Sequence, residues 1–168
     1  MKTKFKILLP LFIVLILFGC SKQNEEAKQP EETKTEMKGM MVHNAWIRAS
    51  AQGTTTAMFG MIMNHTNVND TLVGVSSDLS QLTEFHETYK KEGDMMGMRH
   101  IEAQPIDANS SLTLQPGSYH VMLIRLNQDL KVGETKEITF HFTHASDIKV
   151  EAEVKDMNEM GGMDHSQH

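Results

Sequence analysis

The side chains with chemistry to offer in this chain are histidines and methionines. Nine His and fourteen Met occur in 168 residues, beside a single Cys. The tightest pair is His120 and Met122, within Tyr119-His120-Val121-Met122-Leu123. This run reads as a strand, and positions i and i+2 of a strand share a face. Their Cα atoms then lie roughly 6.6 Å apart, two rises of about 3.3 Å each. An imidazole and a thioether at that spacing can converge on one ion, while Val121 and Leu123 point the other way, toward a core. Met98 lies before His120 with 21 residues between them, and His86 lies upstream again. Two His and two Met form a donor set suited to copper(I).

The preference follows from ligand softness. Copper(I) favours thioethers and thiolates and accepts imidazole. A thioether carries no charge and needs no deprotonation, and it discriminates against zinc, calcium and magnesium, which take harder donors. Methionine also fills apolar cores, but Gly93-Asp94-Met95-Met96-Gly97-Met98 is too polar and Gly-rich for packing to explain it. Cys20 is the single thiol. The folded part can therefore have no disulfide, no Cys-type zinc site and no Cys nucleophile. A blue-copper electron-transfer centre needs a Cys thiolate and is excluded too.

Two further clusters stand apart from a core. Met157, Met160, Met163, His165 and His168 lie among Gly, Asp, Asn and Ser at the C-terminal end. They form either a solvated tail or a second, flexible copper site, with imidazoles for Cu(II) and thioethers for Cu(I). Met37, Met40, Met41 and His43 make a weaker cluster near the start of the domain, where a structural role is equally open.

The elements that position these residues are short. Met1–Phe18 has three Lys and then an apolar run from Ile7 to Phe18. That run spans about 18 Å as a helix, against a hydrocarbon core of about 30 Å. Residues 1–19 are read as a secretory leader. Leu17-Phe18-Gly19-Cys20 resembles a bacterial lipobox, which makes Cys20 the lipidated first residue of a lipoprotein facing outside the cytoplasm. Residues 20–37 carry the Cys and a Glu/Lys/Gln-rich tether that cannot bury enough surface to fold. Residues 38–155 form the domain and 156–168 a disordered tail. The net charge of −6 becomes more acidic without Lys2, Lys4 and Lys6 and argues against a nucleic-acid partner.

Within the domain the pattern is β throughout. Strands are expected over 41–50, 57–64, 71–75, 82–89, 95–100, 111–114 and 119–124. Ile138, Phe140 and Phe142 then alternate with polar residues, as do Ile148, Val150, Ala152 and Val154. Lys91-Glu92-Gly93-Asp94 reads as a hairpin connection and Gln115-Pro116-Gly117-Ser118 as a turn. Regular short strands without a long amphipathic helix indicate an all-β sandwich.

His86, Met98, His120 and Met122 together resemble the PCuAC family of periplasmic copper chaperones, whose motif is His-x10-Met-x21-His-x-Met. The x21 gap and His-x-Met match, whereas the first gap here is x11. The extra residue falls in the hairpin, and it leaves Met96 as an alternative to Met98. Asn44-Ala45-Trp46-Ile47-Arg48, Leu72-Val73-Gly74-Val75-Ser76-Ser77 and Pro116-Gly117-Ser118-Tyr119 also look like the family. The resemblance spans roughly Val42 to Val154. It implies a cupredoxin-like Greek-key β-sandwich holding one Cu(I) on His86, Met98, His120 and Met122. It further implies delivery of copper toward the CuA centre of cytochrome c oxidase, directly or through a Sco-type assembly factor. Copper sequestration for resistance is the alternative that the surplus Met and His support. For a copper enzyme the open multi-His arrangement of an oxidase is not evident, and a purely structural adhesive or substrate-binding lipoprotein with incidental Met is a further alternative, which failure to bind Cu(I) would favour.

Overall fold

The computed structural model describes residues 39–156. The leader, Cys20, the tether and Met37 lie outside the described residues, as do Met157, Met160, Met163, His165 and His168. Ten strands run in chain order: β1 Met40–Arg48, β2 Thr56–Asn64, β3 Asp70–Ser76, β4 Ser80–Lys90, β5 Met96–His100, β6 Gln104–Ile106, β7 Ser110–Leu114, β8 Tyr119–Leu126, β9 Thr135–Phe142 and β10 Ile148–Lys155. Among the described residues no helix is long and apolar enough to cross a membrane.

The strands pair in the order β5-β4-β8-β7-β2-β1-β10-β9-β3-β6, with β8 also pairing β2. Phe85 of β4, Leu123 of β8, Met58 of β2, Phe140 of β9 and Leu72 of β3 nevertheless belong to one buried cluster. A flat sheet cannot bring strands from both its ends into one core, so the sheet rolls into two facing layers. Strand alternation supplies the core directly. Ile138, Phe140 and Phe142 on β9 and Val150, Ala152 and Val154 on β10 are buried, with polar residues between them. On β8, Val121 and Leu123 are fully buried.

Three features depart from local pattern. β1 and β10 pair in parallel, with Ile47 opposite Val154. β6 is short and contains Pro105, which is tolerated because β6 ends the strand order and an edge need not donate every N–H. The connection from β4 to β5 is a single 3₁₀ turn, Glu92–Asp94. Gly93 and Asp94 both have left-handed φ values there, and Lys91 N–H donates to Met95 O at 2.7 Å. Residues at the tip of such a turn add length without disturbing either strand.

Candidate metal centre

β4 lies between β5 and β8, and its register sets the site. His86 is opposite His120 of β8 on one side and opposite His100 of β5 on the other. Residues directly opposite in antiparallel strands share a face. The three imidazoles therefore form a row across the outer face, away from the core that Phe85 and Val121 fill. Ring centroids are 6.1 Å apart for His86 and His120 and 5.8 Å for His86 and His100. Met98 is opposite Thr88, two residues along β4 from His86. Met122 is opposite Glu84, two residues the other way, and packs on the small cluster of Trp46, Ala57 and Phe59. Met98, His120 and Met122 line one cavity of about 210 Å³, with Arg48 and Phe59. His86 is outside that lining and joins the group through His120.

Hydrogen bonds fix which nitrogen of each ring is free. His120 Nδ1 lies 2.9 Å from the Ser118 carbonyl. A carbonyl only accepts, so Nδ1 carries the proton and Nε2 keeps its lone pair. His86 Nε2 lies 2.7 Å from Glu84 Oε2. The carboxylate accepts, so the bare nitrogen of His86 is Nδ1, which is buried without a hydrogen-bond partner. A buried lone pair with no donor aimed at it is costly and fits a nitrogen meant for an ion. Burial pushes the His120 ring below its ordinary 6.5; the Ser118 bond opposes this, and Arg48, with His86 whenever that ring is protonated, adds to it. The ring is therefore neutral at pH 7, the form that ligates.

The candidate ligands differ in exposure. His120 is only 5% exposed, whereas Met98, on edge strand β5, is 57% exposed. The structure also separates the two candidate methionines of the hairpin. Met98 lines the cavity, while Met96 is opposite Lys90, one step further from His86. Sequence reasoning missed Glu84 and His100. Both could have been found by the same i±2 rule that linked His120 to Met122, since Glu84 stands two before His86 and His100 two after Met98.

The profile of the LpqE-like family, "Putative lipoprotein LpqE-like", matches residues 40–154. The chain belongs to the LpqE-like family. "Putative lipoprotein Lxx21020" of Leifsonia xyli subsp. xyli is 31% identical over 146 residues, covering 87% of this chain and 86% of that protein. Among solved structures, the Cu(I) form of DR1885 from Deinococcus radiodurans is 31% identical. It covers 76% of this chain and 87% of that one, with a TM-score of 0.58. The apo PCuAC domain of PmoF1 aligns with a TM-score of 0.60 at 24% identity, over 70% of this chain and 93% of that one, a likeness of fold. This LpqE-like chain thus has the cupredoxin-like β-sandwich of PCuAC domains.

Proposed function

We propose that this LpqE-like chain is an extracytoplasmic copper chaperone that carries Cu(I) on His86 Nδ1, His120 Nε2, Met98 and Met122. The observation that carries the reading is the pair of facing imidazoles. Each has one nitrogen tied down, by Glu84 or by Ser118, and the other left bare. Met98 and Met122, which line one cavity with His120, complete the set. Two imidazoles and two thioethers favour Cu(I) over harder ions. The Cu(I) form of DR1885, 31% identical, supports the same cargo here.

The geometry suits transfer more than storage or turnover. Thioethers bind without charge, so a recipient offering thiolates can displace them. Met98, on the exposed edge, is the ligand a recipient reaches first. The recipient we propose is the CuA subunit of cytochrome c oxidase or a Sco-type assembly factor. Anchoring through a lipidated Cys20 would hold the domain at the membrane, in keeping with a lipoprotein family, and the C-terminal Met/His tail would collect Cu(I) or Cu(II). The chain acts as a binding protein and not as an enzyme.

Anaerobic Cu(I) titration of the full chain against a chromophoric chelator tests the site. An equivalent bound tightly by the wild type and lost in His120→Ala, Met122→Ala supports it; identical curves overturn it. Deleting residues 156–168 should lower stoichiometry while sparing that equivalent. Loss of CuA loading in a deletion strain supports delivery. Normal loading with heightened copper sensitivity would favour sequestration instead.

A further inference from the structure

The outer face of β2 carries a second set of soft donors. Met58 and Ile62 face the core and are fully buried, so Met61 and Met63 lie on the other face, in line with Ala57 and Phe59. Across the ladder to β1, Met61 is opposite His43 and Met63 is opposite Met41. Opposite Cβ atoms are about 5 Å apart and successive same-face positions about 6.6 Å. Met41, His43, Met61 and Met63 thus occupy the corners of a patch small enough for all four tips to meet.

A bulge brings His43 to this face. His43 and Trp46 are three positions apart, which would put them on opposite faces of a regular strand. Their partners on β2, Met61 and Phe59, are two apart, and the register shifts between them. The extra residue lies at Asn44-Ala45, where Asn44 has φ 52°. Gly60 makes room: a Cβ there would meet the His43 carbonyl oxygen at 3.0 Å.

Packing does not account for the patch. Among the described residues, Met40 and Val42 pack on the main core and Met122 on the small aromatic cluster, but Met41, Met61 and Met63 belong to neither. His43 Nε2 is buried with no hydrogen-bond partner, and so is Nε2 of His65, two residues beyond Met63. Across β7 the face continues into Thr113 and Ser111, which offer no charge to hold a hard cation.

We infer that Met41, His43, Met61 and Met63 form a second Cu(I) site, with three thioethers and one imidazole. It stands whether or not His86 and His120 hold copper. Phe59, whose ring centroid is 6.3 Å from that of His120, and Trp46, 4.7 Å from Phe59, separate the two sites along one sheet face.

The test is NMR of the full chain with ¹³C-methyl methionine during anaerobic Cu(I) titration, for the wild type and for His120→Ala, Met122→Ala. The Met41, Met61 and Met63 methyls should shift with a Cu(I) equivalent in both proteins. In Met61→Leu, Met63→Leu, which preserves volume, that equivalent should weaken at least tenfold while Met98 still responds. If the three methyls stay fixed through two equivalents while Met98 and Met122 move, the second site is overturned and the first stands. If they move only when His120 and Met122 are present, a separate site is likewise overturned. If they move while Met98 and Met122 stay fixed, the second site stands and the proposed chaperone site fails.

Discussion

The two donor clusters on the outer face differ in how firmly their ligands are held. At the β4–β5–β8 cluster both imidazoles are oriented by an acceptor, Glu84 for His86 and the Ser118 carbonyl for His120. At the β1–β2 cluster one imidazole stands among three thioethers, on long side chains with several rotatable bonds. The first arrangement fixes the donor geometry in advance, which fits the proposed transfer to a recipient. The second adapts around an ion, which suits capture. Oriented imidazole raises ligand definition; added thioether raises softness.

His120→Ala should separate the clusters most sharply. It removes a proposed ligand that is 5% exposed from the first cluster. Cu(I) affinity there should fall more than the about 10–100-fold usual for losing a ligand's hydrogen-bond partner, with the Met61 and Met63 methyl shifts retained. Competition titration alongside NMR checks both halves. Gly60→Ala should do the reverse. Its Cβ would press on the His43 carbonyl, and the bulge would have to give, costing about 1–3 kcal/mol as overpacking does. Chemical denaturation measures that loss, while affinity at His120 should hold.

Glu84→Ala comes next. It frees His86 Nε2 and lets the ring turn, so affinity at the first site should fall about tenfold, the lower end for such a partner. A fall equal to that of His120→Ala would mean that Glu84 itself binds the ion. Acidification has a smaller, graded effect. Burial holds His120 below its ordinary 6.5, so in the interval beneath that value the unfolded chain binds more protons than the folded one. Stability therefore rises with pH there; His120's contribution is complete above about 6.5 and is lost as pH falls through the lowered value. Affinity should decline over the same interval, since protonation blocks Nε2. A titration showing tighter binding at pH 5 than at pH 7 would contradict this.

Much of this was legible because strand alternation is a two-residue code. The burial of Ile138, Phe140 and Phe142, and the opposed faces of Val121 and His120, follow from period alone. What was not legible depends on distant pairing or on broken period. The parallel β1–β10 contact joins segments from opposite ends of the domain. β6 was hidden by Pro105, which argues against a strand until its edge position is known. The sequence marked Met41 and His43 as part of a weak cluster, but the bulge at Asn44-Ala45 and the β1–β2 register, which set Met61 and Met63 opposite them, are not written in local alternation. The row of His100, His86 and His120 required the β5–β4–β8 register, which no local pattern encodes.

The smallest effect is expected where the sequence was most ambiguous. The x11 gap between His86 and Met98 left Met96 as an alternative, and both side chains are 57% exposed, so exposure does not choose between them. Register does. Met98 is opposite Thr88 and lines the cavity with His120 and Met122, whereas Met96 is opposite Lys90 beside the turn. Gly93 and Asp94 take up the added length at the turn, leaving the Met98-to-His120 relation undisturbed. Met98→Leu should therefore weaken Cu(I) severalfold, since an exposed thioether is the least enclosed of the four proposed ligands, and Met96→Leu should leave affinity unchanged. Both replacements conserve volume, so neither should alter the thermal midpoint. If Met96→Leu were the variant that lost affinity, β5 would have to slide by two residues on β4 in the copper-bound chain. His86 would then face Met98 in place of His100, and amide exchange along β5 would report the new pairing.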